Sequence, residues 1–270
     1  MIPKDFITEW RSEAPWVSDR QVEQDLVICR ALVEIFSRSV VADALAFRGG
    51  TALYKLHLRP AARYSEDIDL VQVAPGSIGP VLDELRDALD GWLGKSQWKQ
   101  SEGRVTLSHR YDSEDSPPVR LKLKVEINSR EHFAVHGFTT QRFEVSSRWF
   151  SGSADVRTYE LAELLGTKLC ALYQGRKGRD LFDLAFALER GGAAPDRIVE
   201  AFDRYMQADG LRVTRALFEQ NLALKRADSV FTADMTPLLA NGATWDFEAA
   251  FDLVWRELVG RLPGEPWKAT

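Results

Sequence analysis

Two aspartates on a predicted strand are the first residues of this chain whose types and spacing could do chemistry. The segment DIDLVQV, residues 67–73, reads as a β-strand, so Asp67 and Asp69 share one face. Carboxylates on one face repel each other unless a cation lies between them. Mg²⁺ or Mn²⁺ would satisfy them, since such hard cations are commonly held by one or two carboxylates plus substrate phosphates. The alternative is an exposed edge strand with solvated acids.

A third acid belongs to another predicted strand, RLKLKVEIN, which places Lys122, Lys124 and Glu126 on one face. If this strand neighbours residues 67–73, Glu126 completes a three-carboxylate cluster with Lys124 nearby. Such a cluster fits two-metal phosphoryl or nucleotidyl transfer. Ordinary polar alternation on a half-buried strand explains the same pattern.

A double glycine, Gly49-Gly50, lies between the short apolar strand ALAF and a helix predicted to begin near Thr51. Glycines let a ligand approach the backbone, and a helix start offers free N–H groups to an anion. The turn could therefore cradle the phosphates of a nucleotide. A plain tight turn with Thr51 as helix cap is the alternative, because the segment matches neither common glycine-rich nucleotide fingerprint. Arg48, Arg63 and Ser65 flank these segments and could contact phosphate or acceptor.

Lys168 lies on the apolar stripe of a helix predicted over residues 158–174, seven residues after Leu161. A lysine on an inward face is costly unless it meets an anion or extends its ammonium to solvent. Three further basic residues, Arg176, Lys177 and Arg179, follow without an acid between them. They predict a local phosphate-binding patch.

Asp180 and Asp183 come directly after that patch. Helix capping by Asp180 and a first-turn position for Asp183 would explain both acids without any role in a site. The alternative is that both belong to the site, in which case the helical half folds back over the nucleotide.

The elements that must position these residues divide the chain into two parts. An α/β part contains a capped helix over residues 18–41, strands near residues 44–47, 67–73, 104–111, 119–128 and 142–147, and a helix over 81–93. Helices near 158–174, 180–190, 195–207, 211–224 and 244–261 follow, so the boundary is expected around SGSAD, residues 151–155.

Composition indicates an ordinary globular protein of 270 residues with a net charge of −5, so nucleic-acid binding requires a local basic surface. Cys29 and Cys170 fall in apolar helical patterns and are predicted to be buried free thiols, which favours a reducing cytoplasm. No segment is apolar and long enough to predict a membrane span.

The motif RGGTALYKLHL followed by RYSEDIDLV resembles the first motif of the DNA polymerase β-type nucleotidyltransferase superfamily. More narrowly, the chain is similar to the AbiEii-type toxins of type IV toxin–antitoxin systems, to which the MenT toxins belong. The resemblance implies an α+β fold: a nucleotidyltransferase α/β domain with a small mixed sheet, residues 1–155, then an all-helical domain, residues 156–270, closing over the active site.

The resemblance also implies roles for residues of this chain. Asp67 and Asp69 would bind metal, with Glu126 as a less certain third ligand. Gly49, Gly50 and Thr51 would hold the triphosphate, Thr51 replacing the commoner serine. The downstream motif, a helical lysine with an aspartate about fifteen residues on, matches Lys168 and Asp183. Arg63, Ser65 and Arg179 are further nucleotide-binding candidates.

The function implied by the resemblance is transfer of NMP from an NTP, a pyrimidine nucleotide, to the 3′ end of tRNA. Such a toxin blocks aminoacylation and growth, and a cognate antitoxin is its partner. Two alternatives stay open at this level. The same site could transfer AMP or GMP to a protein, or the chain could be a nucleotide-binding regulatory module without catalysis.

Overall fold

A computed structural model describes residues 2–268, and these residues form two compact units. The first unit contains the chain up to Phe133, together with Gly137–Tyr159 and Ala240–Gly242; the second contains Ala134–His136, Glu160–Leu239 and the chain from Ala243 onward. Within the described range, no helix combines the length and apolar character needed to cross a membrane.

The first unit is a mixed sheet with helices, as the predicted fold class requires. Its helices are α1 (Lys4–Trp10), α2 (Asp19–Phe36), α3 (Ser39–Ala44), the short α4 (Gly49–Ala52), which continues as a π-helical turn (Leu53–His57), and α5 (Gly79–Leu93). Its strands are β1 (Leu45–Arg48), β2 (Asp67–Gln72), β3 (Gln97–Ser101), β4 (Arg104–Asp112), β5 (Arg120–Asn128), β6 (Phe138–Ser146) and β7 (Ser151–Tyr159).

The seven strands form one sheet in the order β3-β4-β5-β2-β1-β7-β6. Strand β2 is parallel to β5 and antiparallel to β1, so the acidic strand lies in the middle of the sheet. Its apolar residues Ile68 and Leu70 are buried on the face opposite the aspartates. The exposed edge-strand alternative for β2 is therefore wrong.

Helix α2 shows how the local sequence sets an element that supports the site. Ser18 and Gln21 form the predicted capping box at its start. The helix ends at Phe36 rather than near residue 41, and α3 follows as a separate helix; at this end the Ser37 hydroxyl donates to the carbonyl of Val33. Cys29, on the buried face of α2, is a free thiol as predicted, and so is Cys170 of the second unit.

A buried carboxylate joins α2 to the helical segment behind the double glycine. Asp25 is 2% exposed and accepts hydrogen bonds from the indoles of Trp10 and Trp16, at 2.9 Å and 3.1 Å. The ammonium of Lys55 lies 2.7 Å from the same carboxylate. Burial disfavours the charged ammonium, yet the neighbouring Asp25 carboxylate raises the pKa of Lys55 above its ordinary value. The turn of residues 53–57 is thereby fixed to α2.

Strand β7 lies where the domain boundary was expected, around SGSAD. The segment SGSADVRTY, Ser151–Tyr159, pairs antiparallel with β6 along its whole length and parallel with β1 at Phe47 and Thr158. Ala154, Val156 and Thr158, which share one face of the strand, are buried. Because the first residues of the strand are small and polar, its alternation of buried and exposed positions is not visible in the sequence.

The second unit is built from helices α6 (Leu161–Gln174), α7 (Gly178–Glu189), α8 (Pro195–Ala208), α9 (Arg215–Arg226), α10 (Ser229–Ala233) and α11 (Phe247–Glu257). Glu163 of α6, which is fully buried, accepts hydrogen bonds from the backbone N–H groups of Val135 and His136 and from the hydroxyl of Tyr205. These contacts hold residues 134–136 within the helical unit.

Candidate active site

The acidic strand and its parallel neighbour place four charged side chains on one face of the sheet. Asp67 pairs with Lys124 and Asp69 pairs with Glu126 in the β2–β5 register. The ammonium Nζ of Lys124 lies 2.8 Å from Oε2 of Glu126 and 3.8 Å from Oδ2 of Asp67. The adjacency of the two predicted strands is thus confirmed, with Lys124 among the acids.

The charge of Lys124 is favoured by this surrounding. Burial disfavours its charged form, but the hydrogen bond to Glu126 and the charges of Asp67, Glu126 and Asp69 raise the pKa of Lys124 above its ordinary value. The ammonium therefore stays protonated at neutral pH and offsets part of the repulsion between the carboxylates.

Glu126 is held by several donors on its own side of the sheet. Besides Lys124, its carboxylate accepts from the Thr106 hydroxyl at 3.4 Å and lies 3.6 Å from the guanidinium of Arg104. Among residues 2–268, no three acidic, histidine or cysteine side chains are arranged as a metal-binding group. The carboxylates of Asp67 and Asp69 remain as a pair of hard oxygen donors on one face.

Gly49 brings the backbone of the glycine turn directly against Asp69. Its φ of +80° lies in the left-handed region, and a β-carbon there would overlap the aspartate, with Cγ at 2.9 Å. Helix α4 begins at Gly49 itself, two residues before the predicted start. Only glycine fits this position, because a side chain would be both strained and obstructed.

Gly50 is packed from the other side by Arg63. A β-carbon at Gly50 would lie 2.5 Å from Nη2 of Arg63 and 3.1 Å from the hydroxyl of Ser65. Arg63 is only 2% exposed, donates to the carbonyl of Tyr64 at 2.9 Å, and lies over the ring of Tyr54 at 5.1 Å. The structure therefore places this predicted phosphate ligand in the interior, where it supports the turn.

Thr51 links the glycine turn to the start of the acidic strand. Its hydroxyl donates to the backbone carbonyl of Asp67 and lies 2.9 Å from the hydroxyl of Ser65. Thr51 is 1% exposed and does not cap the helix, whose N-cap is Arg48. The capping alternative is thus wrong, and the hydroxyl fixes the spacing between turn and strand instead.

Arg48 is the residue opposite Asp69 in the β1–β2 register. Its guanidinium donates to the carboxylate of Glu131, whose other oxygen accepts from the side chain of Asn128 at 2.7 Å. Although burial disfavours the charge, Glu131 raises the pKa of Arg48 above its ordinary value, with a smaller contribution from Asp69. A fixed cation therefore stands beside the aspartate.

In the second unit, Lys168 meets two carboxylates of helix α7. Its ammonium lies 2.9 Å from Oδ1 of Asp180 and 3.1 Å from Oδ2 of Asp183. The lysine side chain is 13% exposed, and the two acids are 7% and 0% exposed. The anion that satisfies this inward lysine is thus supplied by the protein itself.

The prediction that Asp180 caps helix α7 is wrong. Helix α7 begins at Gly178, so Asp180 lies inside its first turn rather than at the N-cap, and Asp183 lies one turn deeper. The carboxylate of Asp234 receives the backbone N–H of Arg179 instead. Both aspartates therefore contact Lys168, although the downstream motif of the family concerns only Lys168 and Asp183.

The basic residues before α7 differ in exposure. Arg176 and Lys177 are exposed and Arg179 is half-buried.

A further lysine that was not predicted from the sequence lies near them: Lys225 of α9 donates to the carbonyls of Leu172 and Tyr173 at the end of α6. Burial lowers the pKa of Lys225 to about 8. Its position on the apolar stripe of α9, three residues after Leu222, is the same signal that identified Lys168.

Comparisons with known proteins identify the family and the fold of the chain. The family model for the nucleotidyl transferase AbiEii toxin of type IV toxin–antitoxin systems matches residues 30–253. No curated protein matches the sequence significantly. Among solved structures, the chain is similar to MenT4, a nucleotidyltransferase toxin from Mycobacterium tuberculosis H37Rv, with 19% identity, a TM-score of 0.72, and coverage of 97% of this chain and 91% of that one.

A second similar structure is JHP933 from Helicobacter pylori, with 19% identity, a TM-score of 0.57, and coverage of 89% of this chain and 90% of that one. At such identity these likenesses concern the fold. The family model covers well over half of the sequence and includes the glycine turn, the acidic strand and the lysine–aspartate motif. The chain therefore belongs to the AbiEii family of nucleotidyltransferase toxins.

Proposed function

We propose that this nucleotidyltransferase transfers NMP from a pyrimidine NTP to the 3′ end of tRNA and thereby blocks aminoacylation and growth. The observation that carries the proposal is the contact of the Gly49 backbone with Asp69 beside Asp67. It joins a turn suited to phosphate with a pair of carboxylates suited to a metal. The pyrimidine base and the tRNA acceptor rest on the family resemblance.

Asp67 and Asp69 are the proposed ligands of a divalent cation, Mg²⁺ or Mn²⁺. Their oxygens point to one face, and the remaining ligands of such an ion are commonly water and substrate phosphates. When bound, the metal would supply charge neutralisation at the reacting phosphate. Glu126 lies on the adjacent strand and is paired with Lys124, so it would influence the metal ligands Asp67 and Asp69 through the position of that lysine.

The turn at Gly49, Gly50 and Thr51 is the proposed seat of the triphosphate. The first N–H groups of a helix have no partner within that helix and attract negative charge. At both glycines the space of a side chain is filled by Asp69 or Arg63, so a phosphate would approach the turn through its backbone N–H groups. Thr51 and Arg63 hold the turn from the protein interior, and the hydroxyl of the half-buried Ser65 lies 2.9 Å from that of Thr51.

The proposed reaction is an in-line displacement at the α-phosphorus. A hydroxyl oxygen of the acceptor forms a bond to that phosphorus while the bond to the β-phosphate oxygen breaks, and pyrophosphate leaves. The hydroxyl proton passes to the solvent. Cations near the turn, including Arg48, would stabilise the charge that develops on the leaving pyrophosphate.

We propose a second contribution from Lys168, which Asp180 and Asp183 hold in position. A lysine oriented by two carboxylates presents its remaining N–H donor in one fixed direction, which suits a hydrogen bond to a substrate group. The exposed Arg176 and Lys177, with Arg179, would add attraction for the phosphates of RNA. Membership of a toxin–antitoxin family further implies an antitoxin as the protein partner.

The deciding experiment incubates the protein with total RNA and each of the four α-labelled NTPs. The wild type should label the 3′ end of tRNA with one pyrimidine nucleotide, whereas Asp69→Asn should label nothing. Glu66→Gln is the matched control, because Glu66 is an exposed acid just before the strand and should retain activity. Label that migrates with protein instead of RNA would overturn the proposed acceptor.

A further inference from the structure

The face of the sheet that carries the proposed metal ligands has a cation of its own. Asp67, Asp69 and Glu126 bring three negative charges to this face; Lys124 lies among them, while Arg48 is paired across from Asp69 and Arg104 lies beside Glu126. Lys124 is central to the group, since it contacts Glu126 at 2.8 Å and Asp67 at 3.8 Å and its charge interacts with Asp69. An ammonium in this position substitutes electrostatically for part of a divalent ion.

Glu126 determines where that ammonium lies. Its carboxylate lies close to Lys124, Thr106 and Arg104, and it is 19% exposed. A carboxylate that contacts Lys124 and Thr106 and has the guanidinium of Arg104 nearby is positioned as an anchor and has little remaining capacity for a metal. The ammonium, held by this anchor, is directed toward Asp67.

We propose, on the basis of the metal site in the proposed function, that Lys124 is a positioning residue that acts as the resident counter-ion of Asp67 and Asp69. Before a metal binds, its positive charge offsets the repulsion between the two carboxylates and so keeps them in position. Because it also repels an incoming cation, it lowers the affinity of the site for a free metal. The metal then binds well only together with a nucleotide, whose phosphates supply further negative charge.

The inference predicts opposite effects on stability and on metal affinity when the charge is removed. In Lys124→Met the carboxylates lose their counter-ion, so the metal-free protein should unfold at a lower temperature. The same variant should bind Mn²⁺ at least about tenfold more tightly without nucleotide, because a unit charge close to the ion no longer opposes it. A non-hydrolysable pyrimidine NTP should then increase Mn²⁺ affinity less than it does in the wild type.

The experiment measures Mn²⁺ binding by isothermal titration calorimetry and by the electron paramagnetic resonance signal of free Mn²⁺, with thermal unfolding in EDTA alongside. Lys124→Arg keeps the charge and should stay near the wild type. Lys122→Met is the matched control, since Lys122 lies on the same face of the same strand but is exposed, and its removal should leave Mn²⁺ affinity within about twofold.

The outcomes separate this inference from the proposed function. Unchanged or weaker Mn²⁺ binding by Lys124→Met, with normal Asp69-dependent binding by the wild type, would overturn the counter-ion role alone. A change of KM for the nucleotide without any change of Mn²⁺ affinity would also overturn it, since it would make Lys124 a substrate ligand. Absence of Asp69-dependent Mn²⁺ binding in every variant would overturn the metal site and this inference with it.

Discussion

Gly49 and Asp69 are packed backbone against carboxylate, so closely that a β-carbon on the glycine would lie 2.9 Å from Cγ and 3.0 Å from Cβ of the aspartate. The two residues belong to a turn and a strand that are neighbours in the sheet, because Arg48 pairs with Asp69. The position of the aspartate therefore depends on the absence of a side chain at residue 49.

Replacing this glycine should abolish transfer. Gly49→Ala adds a methyl group that must displace Asp69, and it places alanine in the left-handed region at a cost of about 1–2 kcal/mol. We expect a loss of at least about 100-fold in nucleotidyl transfer, because displacement of a catalytic ligand by 1 Å costs that much. The rate of pyrophosphate release with tRNA as acceptor measures the loss.

Gly94→Ala separates backbone strain from the loss of space. Gly94 has the same φ of +80° as Gly49, but no atom lies within 4 Å of its ideal β-carbon. This control should lose about 1–2 kcal/mol of stability and keep its activity. Equal activity losses in the two variants would contradict the proposed role of the Gly49–Asp69 contact.

The hydroxyl of Thr51 should matter more than its methyl group. Thr51→Val removes the donor to the Asp67 carbonyl and leaves buried polar atoms without a partner, which costs about 1–3 kcal/mol. Thr51→Ser keeps the hydroxyl and should retain most of both stability and activity. Urea unfolding and transfer rates of the two variants check this, and equal effects of serine and valine would be inconsistent with the observed hydrogen bonds.

Removal of Lys168 should destabilise the second unit through its buried acids. Lys168→Met leaves Asp180 and Asp183 without their counter-ion, and breaking such a buried pair costs about 3–5 kcal/mol. Lys168→Met combined with Asp183→Asn should recover part of the loss, because one buried charge is then absent. Urea unfolding of the wild type, both single variants and the double variant completes the cycle. Strictly additive losses would contradict the direct contact.

Glu23 should make stability depend on pH. It is 2% exposed, one oxygen accepts from the backbone N–H of Glu114 at 3.1 Å, and Oε1 has no hydrogen-bond partner within the described part of the chain. Burial raises the pKa of Glu23 from 4.5 to about 7, although the hydrogen bond from Glu114 opposes the shift. Between these values the folded chain holds a proton that the unfolded chain has lost, so stability falls as pH rises.

Glu23→Gln tests this dependence, because glutamine keeps an acceptor for Glu114 and does not titrate. The free energy of unfolding of the variant relative to the wild type should increase from pH 5 to pH 8, where the wild type carries the full cost of the buried charge. Urea unfolding at four pH values measures it. A difference independent of pH would show that Glu23 titrates alike in both states.

The chemistry of the site was predictable where a residue type conflicts with its local pattern. Asp67 and Asp69 interrupt an apolar strand, and Lys168 interrupts the apolar stripe of a helix, so each predicted an oppositely charged partner. The structure pairs Lys168 with Asp180 and Asp183 and places Lys124 near Asp67, whereas the metal at the two aspartates stays a prediction. The strands and the following helices were also predictable, because apolar residues recur every two residues in the strands and about every 3.6 residues in the helices.

The remaining features depend on tertiary contacts that leave no local pattern. Strand β3, QWKQS, is exposed along its length and has no alternation to detect, and β7 begins with small residues. The burial of Arg63 behind Gly50 follows from packing of the turn, and an arginine gives no hint of it in sequence. Likewise, the pairing of Lys124 with Glu126 needed the register between two strands distant in the chain.

The register between β1 and β2 has a consequence for which substitutions the site tolerates. Arg48 is placed opposite Asp69 by the pairing of the two main chains, so a core substitution that keeps this pairing also keeps the distance between turn and aspartate. A substitution at Gly49 is different, because any side chain there would replace the single hydrogen atom that faces Asp69.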